Sequence, residues 1–262
     1  MKTLHVTYRS FLVVFVAAVC VKANAQFNFA TNNGTLTIVA YSGSQSAVTI
    51  PRETNGMPIV SIGYTAFANI DALRSIVIPD SITSIGQSAF GGCVGLKSVV
   101  IPDSVTNIAP GAFSYCTTMT NVVIGTGVKV LNGSFDLCFG LQRIYFRGDA
   151  PALGLSEFGG NNATVYYLPG TAGWSFTFGG LQAVLWNPHF LVGDGSFGIQ
   201  SNSFGFNVAG TSNIPIALEA STNLVSANWQ RLQTCTLTNG LVYLNDPGWT
   251  NNPVRFYRLC SP

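Results

Sequence analysis

The sequence holds 262 residues, of which only 8% are charged and 12% are aromatic. Charge that sparse, against roughly 25% in an average domain, excludes a disordered chain, which would be charge-rich and aromatic-poor. The formal net charge is +2, but Lys2, Arg9 and Lys22 all precede Gln26; without them nine basic side chains face ten acidic ones, a net charge of −1. No basic block remains, so a nucleic-acid partner is not expected.

Residues 1–25 read as a secretory signal peptide. Lys2 and Arg9 give a positive start, Phe11 to Val21 an apolar run, and Ala23-Asn24-Ala25 the small residues of a cleavage site, which places the cut after Ala25. A lipoprotein reading would use Cys20, but Val19 is bulky for the position before a lipidated cysteine. The apolar run is too short to span a bilayer, and no later stretch reaches the ~20 residues a membrane helix needs. The mature chain is expected to be secreted or displayed at the cell surface, without a transmembrane segment.

A repeat follows, its period set by the near-even steps between Phe67, Phe90, Phe113 and Phe135. Ser61-Ile62-Gly63-Tyr64-Thr65-Ala66-Phe67 recurs as Ser84-Ile85-Gly86-Gln87-Ser88-Ala89-Phe90 and as Asn107-Ile108-Ala109-Pro110-Gly111-Ala112-Phe113, and a worn copy ends in Gly133-Ser134-Phe135. After each Phe come Ile70, Cys93, Cys116 and Cys138, then Leu73, Leu96, Met119 and Leu141. Short β runs close the units: 75–78, 98–101, 121–124 and 143–146. Side chains alternate along a strand, so Ile76, Val99, Val122 and Ile144, with Ile78, Ile101, Ile124 and Phe146, are expected inside. Val77, Val100, Val123 and Tyr145 are expected outside, and Pro79 and Pro102 end their strands. One such coil cannot bury its own apolar side, so neighbours must stack.

This unit resembles the BspA-like leucine-rich repeat, Leu-x-x-Ile-x-Ile-Pro followed by Val-x-x-Ile-Gly-x-x-Ala-Phe-x-x-Cys, over roughly residues 48–147. The resemblance implies an exported, bacterial-type, mainly β protein: a short leucine-rich-repeat solenoid of about four coils plus caps, followed by a small β-sandwich. The stretches 35–41 and 47–50 read as an N-terminal cap and 148–187 as the closing cap, so the solenoid takes 26–187. Residues 188–262 read as a separate all-β module with strands near 204–208, 214–220, 229–232, 241–244 and 255–259. Its Glu219 to Leu224 stretch and its Arg255-Phe256-Tyr257-Arg258-Leu259 end resemble a C-terminal module of many exported bacterial proteins.

Candidate chemistry is thin. Cys93, Cys116 and Cys138 follow the repeat, with Ile70 in the same slot, which fits a core position and not a metal site. Cys235 and Cys260 form a possible disulfide, which export permits. His189, in an expected linker with Asn187 and Pro188, has no nucleophile elbow beside it. Gly193-Asp194-Gly195-Ser196-Phe197-Gly198 matches Gly-x-Gly-x-x-Gly but lacks the strand–helix setting of a dinucleotide site. Asp80 and Asp103, each after a strand-ending Pro, read as turn residues that bond their own backbone. No enzyme, cofactor or metal is expected. The candidate site is the outward face of the repeat sheet, with Val77, Val100, Val123 and Tyr145 in one row and Ser75, Ser98, Asn121 and Arg143 in the next. It would bind an extracellular protein or glycan. The alternative is a structural scaffold or surface-layer component without a specific ligand; the oligomeric state stays open.

Overall fold

A computed structural model describes residues 26–154, 157–223, 228–251 and 254–261; the leader lies outside them. The described chain is nearly all β, with one short helical turn at Trp249–Asn251. Its first part is a β-solenoid of about six coils. On one side, Ser98–Ile101, Asn121–Ile124, Arg143–Phe146, Thr164–Tyr167 and Leu181–Leu185 lie side by side in a parallel sheet without a register shift. Ala47–Thr49 and Ser75–Val77 pair at its head, tied on by the Lys97 N–H donating to the Arg74 carbonyl. On the other side a hairpin, Phe27–Asn32 with Thr35–Tyr41, starts a second sheet continued by Met57–Ile62, Ser84–Ile85 and Asn107–Ile108. The hairpin covers that sheet's first edge as a cap must. At the far end the ladder runs past the four units legible in the sequence. Thr164–Tyr167 and Leu181–Leu185, in the stretch expected to be a closing cap, are two more parallel rungs.

Strands in a sheet stand ~4.8 Å apart, so equivalent residues of successive coils stack. The Phe rings show it: Phe67, Phe90, Phe113 and Phe135 are fully buried, with ring centres 4.9, 5.0 and 5.2 Å apart. Tyr41 begins the stack, 5.1 Å from Phe67. The cysteines form a second ladder. Each thiol donates to the carbonyl of the Phe one coil back, Cys93 to Phe67 at 3.0 Å, Cys116 to Phe90 at 3.3 Å and Cys138 to Phe113 at 3.0 Å. Burial pushes the Cys93 thiol up to about 11, so it stays protonated and able to donate. Ile76, Val99, Val122 and Ile144 point inward with Ile78, Ile101, Ile124 and Phe146, as the alternation requires.

The corner after the Ile-Gly pair repeats too. Its first left-handed residue is Thr65, Ser88, Gly111 or Gly133, and its second is Asn69, Gly92, Tyr115, Leu137 or Gly160. Just before the first of them, neighbouring coils run so close that a Cβ at Gly86 would sit 2.7 Å from the Gly63 backbone. The aspartates work between coils and not within their own turn. Asp103 accepts from the Thr126 N–H at 3.0 Å and Asp149 from the Ala172 N–H at 2.8 Å, each one coil further on, while Asp80 pairs with Arg52. The expectation of self-capping turns is corrected: the Asp103 carboxylate bonds the next coil's amide, and Asp80 bonds a guanidinium.

One coil breaks the pattern. Glu157 holds the slot of Ala66, Ala89, Ala112 and Ser134, and it is buried. Both carboxylate oxygens accept from the Ser134 N–H, at 3.1 and 3.2 Å. In the regular coils that amide position bonds back within its own corner, as Ala89 does to Gly86 and Ala112 to Ala109. Burial pushes the Glu157 carboxyl up to about 7; the Ser134, Gly133 and Phe135 amides pull it down, and the charge of Asp136 raises it again.

The second part has two antiparallel sheets around one core of Phe206, Val208, Ile214, Ile216, Leu218, Leu237 and Leu244. One sheet joins His189–Leu191, Gly198–Gln200, Ser203–Ala209 and Leu241–Asp246; the other orders Gln230–Thr236, Pro215–Ser221 and Phe256–Cys260. Every residue of Pro215–Ser221 is buried, as befits a central strand covered on both faces.

Two outcomes are expected. Phe90→Ala removes the middle of the aromatic stack and should lower unfolding stability by about 3–5 kcal/mol in urea titrations. Glu157 binds its proton more tightly folded than unfolded, because its pKa rises from 4.5 to about 7. Its contribution is therefore complete below about pH 4.5 and is lost as pH rises through about 7. Stability should fall over that window by on the order of 3 kcal/mol, and Glu157→Gln should flatten the fall in urea titrations at stepped pH.

Candidate binding face

The outward face of the parallel sheet is built by strict alternation on a ladder in register. Val100, Val123, Tyr145, Tyr166 and Val184 form one row, with Val77 at its head. Ser98, Asn121, Arg143, Thr164 and Gln182 form the polar row beside it, headed by Ser75. Arg143 reaches back to donate to the Asn121 amide oxygen at 3.4 Å.

The face is not uniformly open. Ser75, Val77, Ser98 and Val100 are exposed, Val77 by 57% and Val100 by 48%. Asn121, Val123 and Arg143 are half-buried. Tyr145, expected in the exposed row, is only 6% exposed. Its side chain does point out of the sheet, but the second part of the chain packs on it. Tyr145 and Tyr166 share one apolar cluster with Phe206, Ile216 and Leu218. The two tyrosine rings stack at 4.9 Å, Trp186 meets Tyr145 edge-on at 6.5 Å, and the indole N–H donates to the Pro215 carbonyl at 2.9 Å. Burial pushes both phenols up. A sequence read one strand at a time shows which way Tyr145 points but not what stands over it. Trp186 and Tyr166, which complete this contact, carry no repeat signal because they lie past the last clear unit.

Where the second part meets the sheet, a cleft of about 190 Å3 opens. Val123, Tyr145, Tyr166 and Trp186 line it from the solenoid, and Leu259, Cys260 and Ser261 from the second part. The Tyr145 hydroxyl, buried there, has no hydrogen-bond partner among the described residues.

The other candidate positions gather no chemistry. Cys235 and Cys260 do not form the possible disulfide. Cys235 faces Ile216 across one edge of the central strand and Cys260 faces Ala217 across the other. A whole strand separates them, ~10 Å laterally and beyond the ~7 Å limit between bridged Cα atoms, and both thiols are free. His189 is not in a linker: it opens the strand His189–Leu191, paired with Ala209, with its Nδ1 3.2 Å from the Asn187 carbonyl. The Gly193–Gly198 stretch is a turn pinned by Asp194, whose carboxylate accepts from the Ser196 N–H, the Ser196 hydroxyl and the Asn207 amide. Among the described residues no three His, Cys, Asp or Glu side chains converge on a metal position, and no helix is long and apolar enough to cross a membrane.

Stacked coils with a parallel strand, a turning Pro and ladders of Leu, Cys and Phe define a leucine-rich-repeat solenoid. Residues 40–166 match the family model of the BspA type leucine rich repeat region, in six copies. The repeat part of this chain is a BspA-type leucine-rich repeat region. No curated protein matches the chain. Among solved structures it is similar to a leucine rich cell surface protein from Faecalibacterium prausnitzii A2-165, with 28% identity over 53% of this chain and 53% of that one and a TM-score of 0.38. It is also similar to a leucine-rich repeat protein from Bacteroides capillosus ATCC 29799, with 26% identity over 47% of this chain and 95% of that one and a TM-score of 0.41. The chain spans about half the length of the first of these.

Trp186→Ala removes both the Pro215 hydrogen bond and the edge contact with Tyr145. It should loosen the second part from the sheet. Limited proteolysis should then cut near residues 186–189 several-fold faster than in the unaltered protein; an unchanged cutting rate would show that the contact does not hold the two parts.

Proposed function

We propose that this protein is exported, is released or displayed outside the cell, and acts there without catalysis as a binding or adhesion protein for a protein or glycan partner. The observation that carries this reading is the open half of the sheet face, where a row of exposed valines runs beside a row of serines. Isolated exposed apolar residues need no explanation, but a row held in register on a rigid sheet is a surface another molecule can lie along. Nothing among the described residues covers Val77 and Val100, whereas the same row one and two coils past Val123 is covered by the chain's own second part. The face is therefore sticky enough to hold a β module where one is supplied. The match to the BspA-type repeat supports a surface-binding role.

The test is an array of extracellular proteins and glycans probed with the chain lacking residues 1–25. Val77→Glu combined with Val100→Glu should abolish capture while leaving thermal unfolding within a few degrees. Capture that survives the double variant would place the binding face elsewhere.

A further inference from the structure

The cleft at the seam of the two parts has three features that the packing of the fold does not use. The first is its shape and lining. At about 190 Å3 it is smaller than the roughly 300–1,000 Å3 of a small-molecule pocket, and fits one large apolar side chain. Val123, Tyr166, Trp186 and Leu259 supply apolar walls.

The second feature is unspent hydrogen bonding. The Tyr145 hydroxyl is buried and has no hydrogen-bond partner among the described residues, a costly state for a polar group. Beside it, the strand Phe256–Cys260 pairs with Pro215–Ser221 along one edge and with no strand along the other among the described residues. Its last residues line the cleft. An unpaired strand edge is a row of free N–H and C=O groups that an extended peptide can pair with.

The third feature is charge. Arg143 and Tyr145 alternate along the strand Arg143–Phe146, and Arg147 follows at its exit. Arg147 lines the cleft, and its carboxylate neighbour Asp103 stands 3.9 Å away, at the limit of an ion pair. Arg143 bonds an amide and forms no ion pair among the described residues. A guanidinium at the wall of an apolar hole favours an acidic group beside an apolar one. Among the described residues the lining side chains include no carboxylate or amide, the groups that would fix a sugar's hydroxyls, so a protein segment fits better than a glycan.

We propose that this cleft, bounded by Tyr145, Tyr166, Trp186, Arg147 and Leu259, anchors an extended segment of a protein partner. One large apolar side chain enters the cleft, an adjacent Asp or Glu meets Arg147, and the backbone adds to the free edge of Phe256–Cys260. The inference rests on the binding reading above and names the partner's chemistry at one end of the same face.

The probe is a phage-displayed library of linear dodecapeptides, selected on the chain lacking residues 1–25. Selected peptides should carry Leu, Ile, Phe or Trp next to Asp or Glu. A synthetic peptide of that kind should bind at least tenfold more weakly to Arg147→Glu, and swapping its acid for Lys should restore binding to that variant. Ser261→Trp, which fills the cleft mouth, should weaken both peptides. Val77→Glu with Val100→Glu should leave peptide binding intact, which separates this test from that of the open face. Selected peptides without the apolar–acidic pair, equal affinity for Arg147→Glu, or a glycan whose capture depends on Arg147 would each overturn the inference. The Lys-for-acid rescue also shows that the variant is folded.

Discussion

The spacing between coils governs this molecule. Parallel strands sit ~4.8 Å apart because backbone hydrogen bonds hold them there, and that is also the distance at which aromatic rings stack face to face. Phe67, Phe90, Phe113 and Phe135 can therefore form one continuous column without any adjustment of the backbone. The same spacing lets each cysteine thiol reach the carbonyl of the previous coil, and lets Asp103 and Asp149 reach the amide of the next. These thiols and carboxylates find their partners one step along the axis. Side chains here are chosen for what lies one coil away more than for their chain neighbours.

The spacing that orders the interior also orders the outside. Each residue class on the sheet surface becomes a row, and a row of valines and tyrosines is apolar along its whole length. The chain resolves this in two ways. Over Tyr145 and Tyr166 it lays its own second part, held by Trp186 and the Pro215 carbonyl. Val77 and Val100 it leaves exposed. The seam between covered and uncovered surface leaves a small cleft lined by Arg147 and by the end of an edge strand, where the Tyr145 hydroxyl has no partner among the described residues.

Much of the fold is legible because a repeat makes the same statement several times. Phe67, Phe90 and Phe113 at equal spacing, the alternation of Ile76 or Val99 with outward Val77 or Val100, and the strand-ending Pro79 and Pro102 each follow from one local rule applied to every coil. Legibility fails where the repeat wears thin. The period continues from Phe135 to Phe158, and Glu157 stands in the Ala slot before it. That further Phe step is the available signal for both another coil and a buried carboxylate, but a charged residue in a core slot hides it. The site is half legible. Alternation along a strand predicts which way a side chain points, and it holds for Val77 through Tyr145. It carries no information about non-local covering, and so it cannot show that Tyr145 is buried or that a strand lies between Cys235 and Cys260.

The central claim is that the second part of the chain covers one end of the sheet face and leaves the other open. Tyrosine nitration of the intact protein, read residue by residue by mass spectrometry, tests it directly. Tyr64 and Tyr115, 68% and 55% exposed, should nitrate readily, while Tyr145 and Tyr166, 6% and 7% exposed, should stay unmodified until the protein unfolds. Nitration of Tyr145 and Tyr166 at the rate of Tyr64 would contradict the account, because it would mean that the whole face is open in solution.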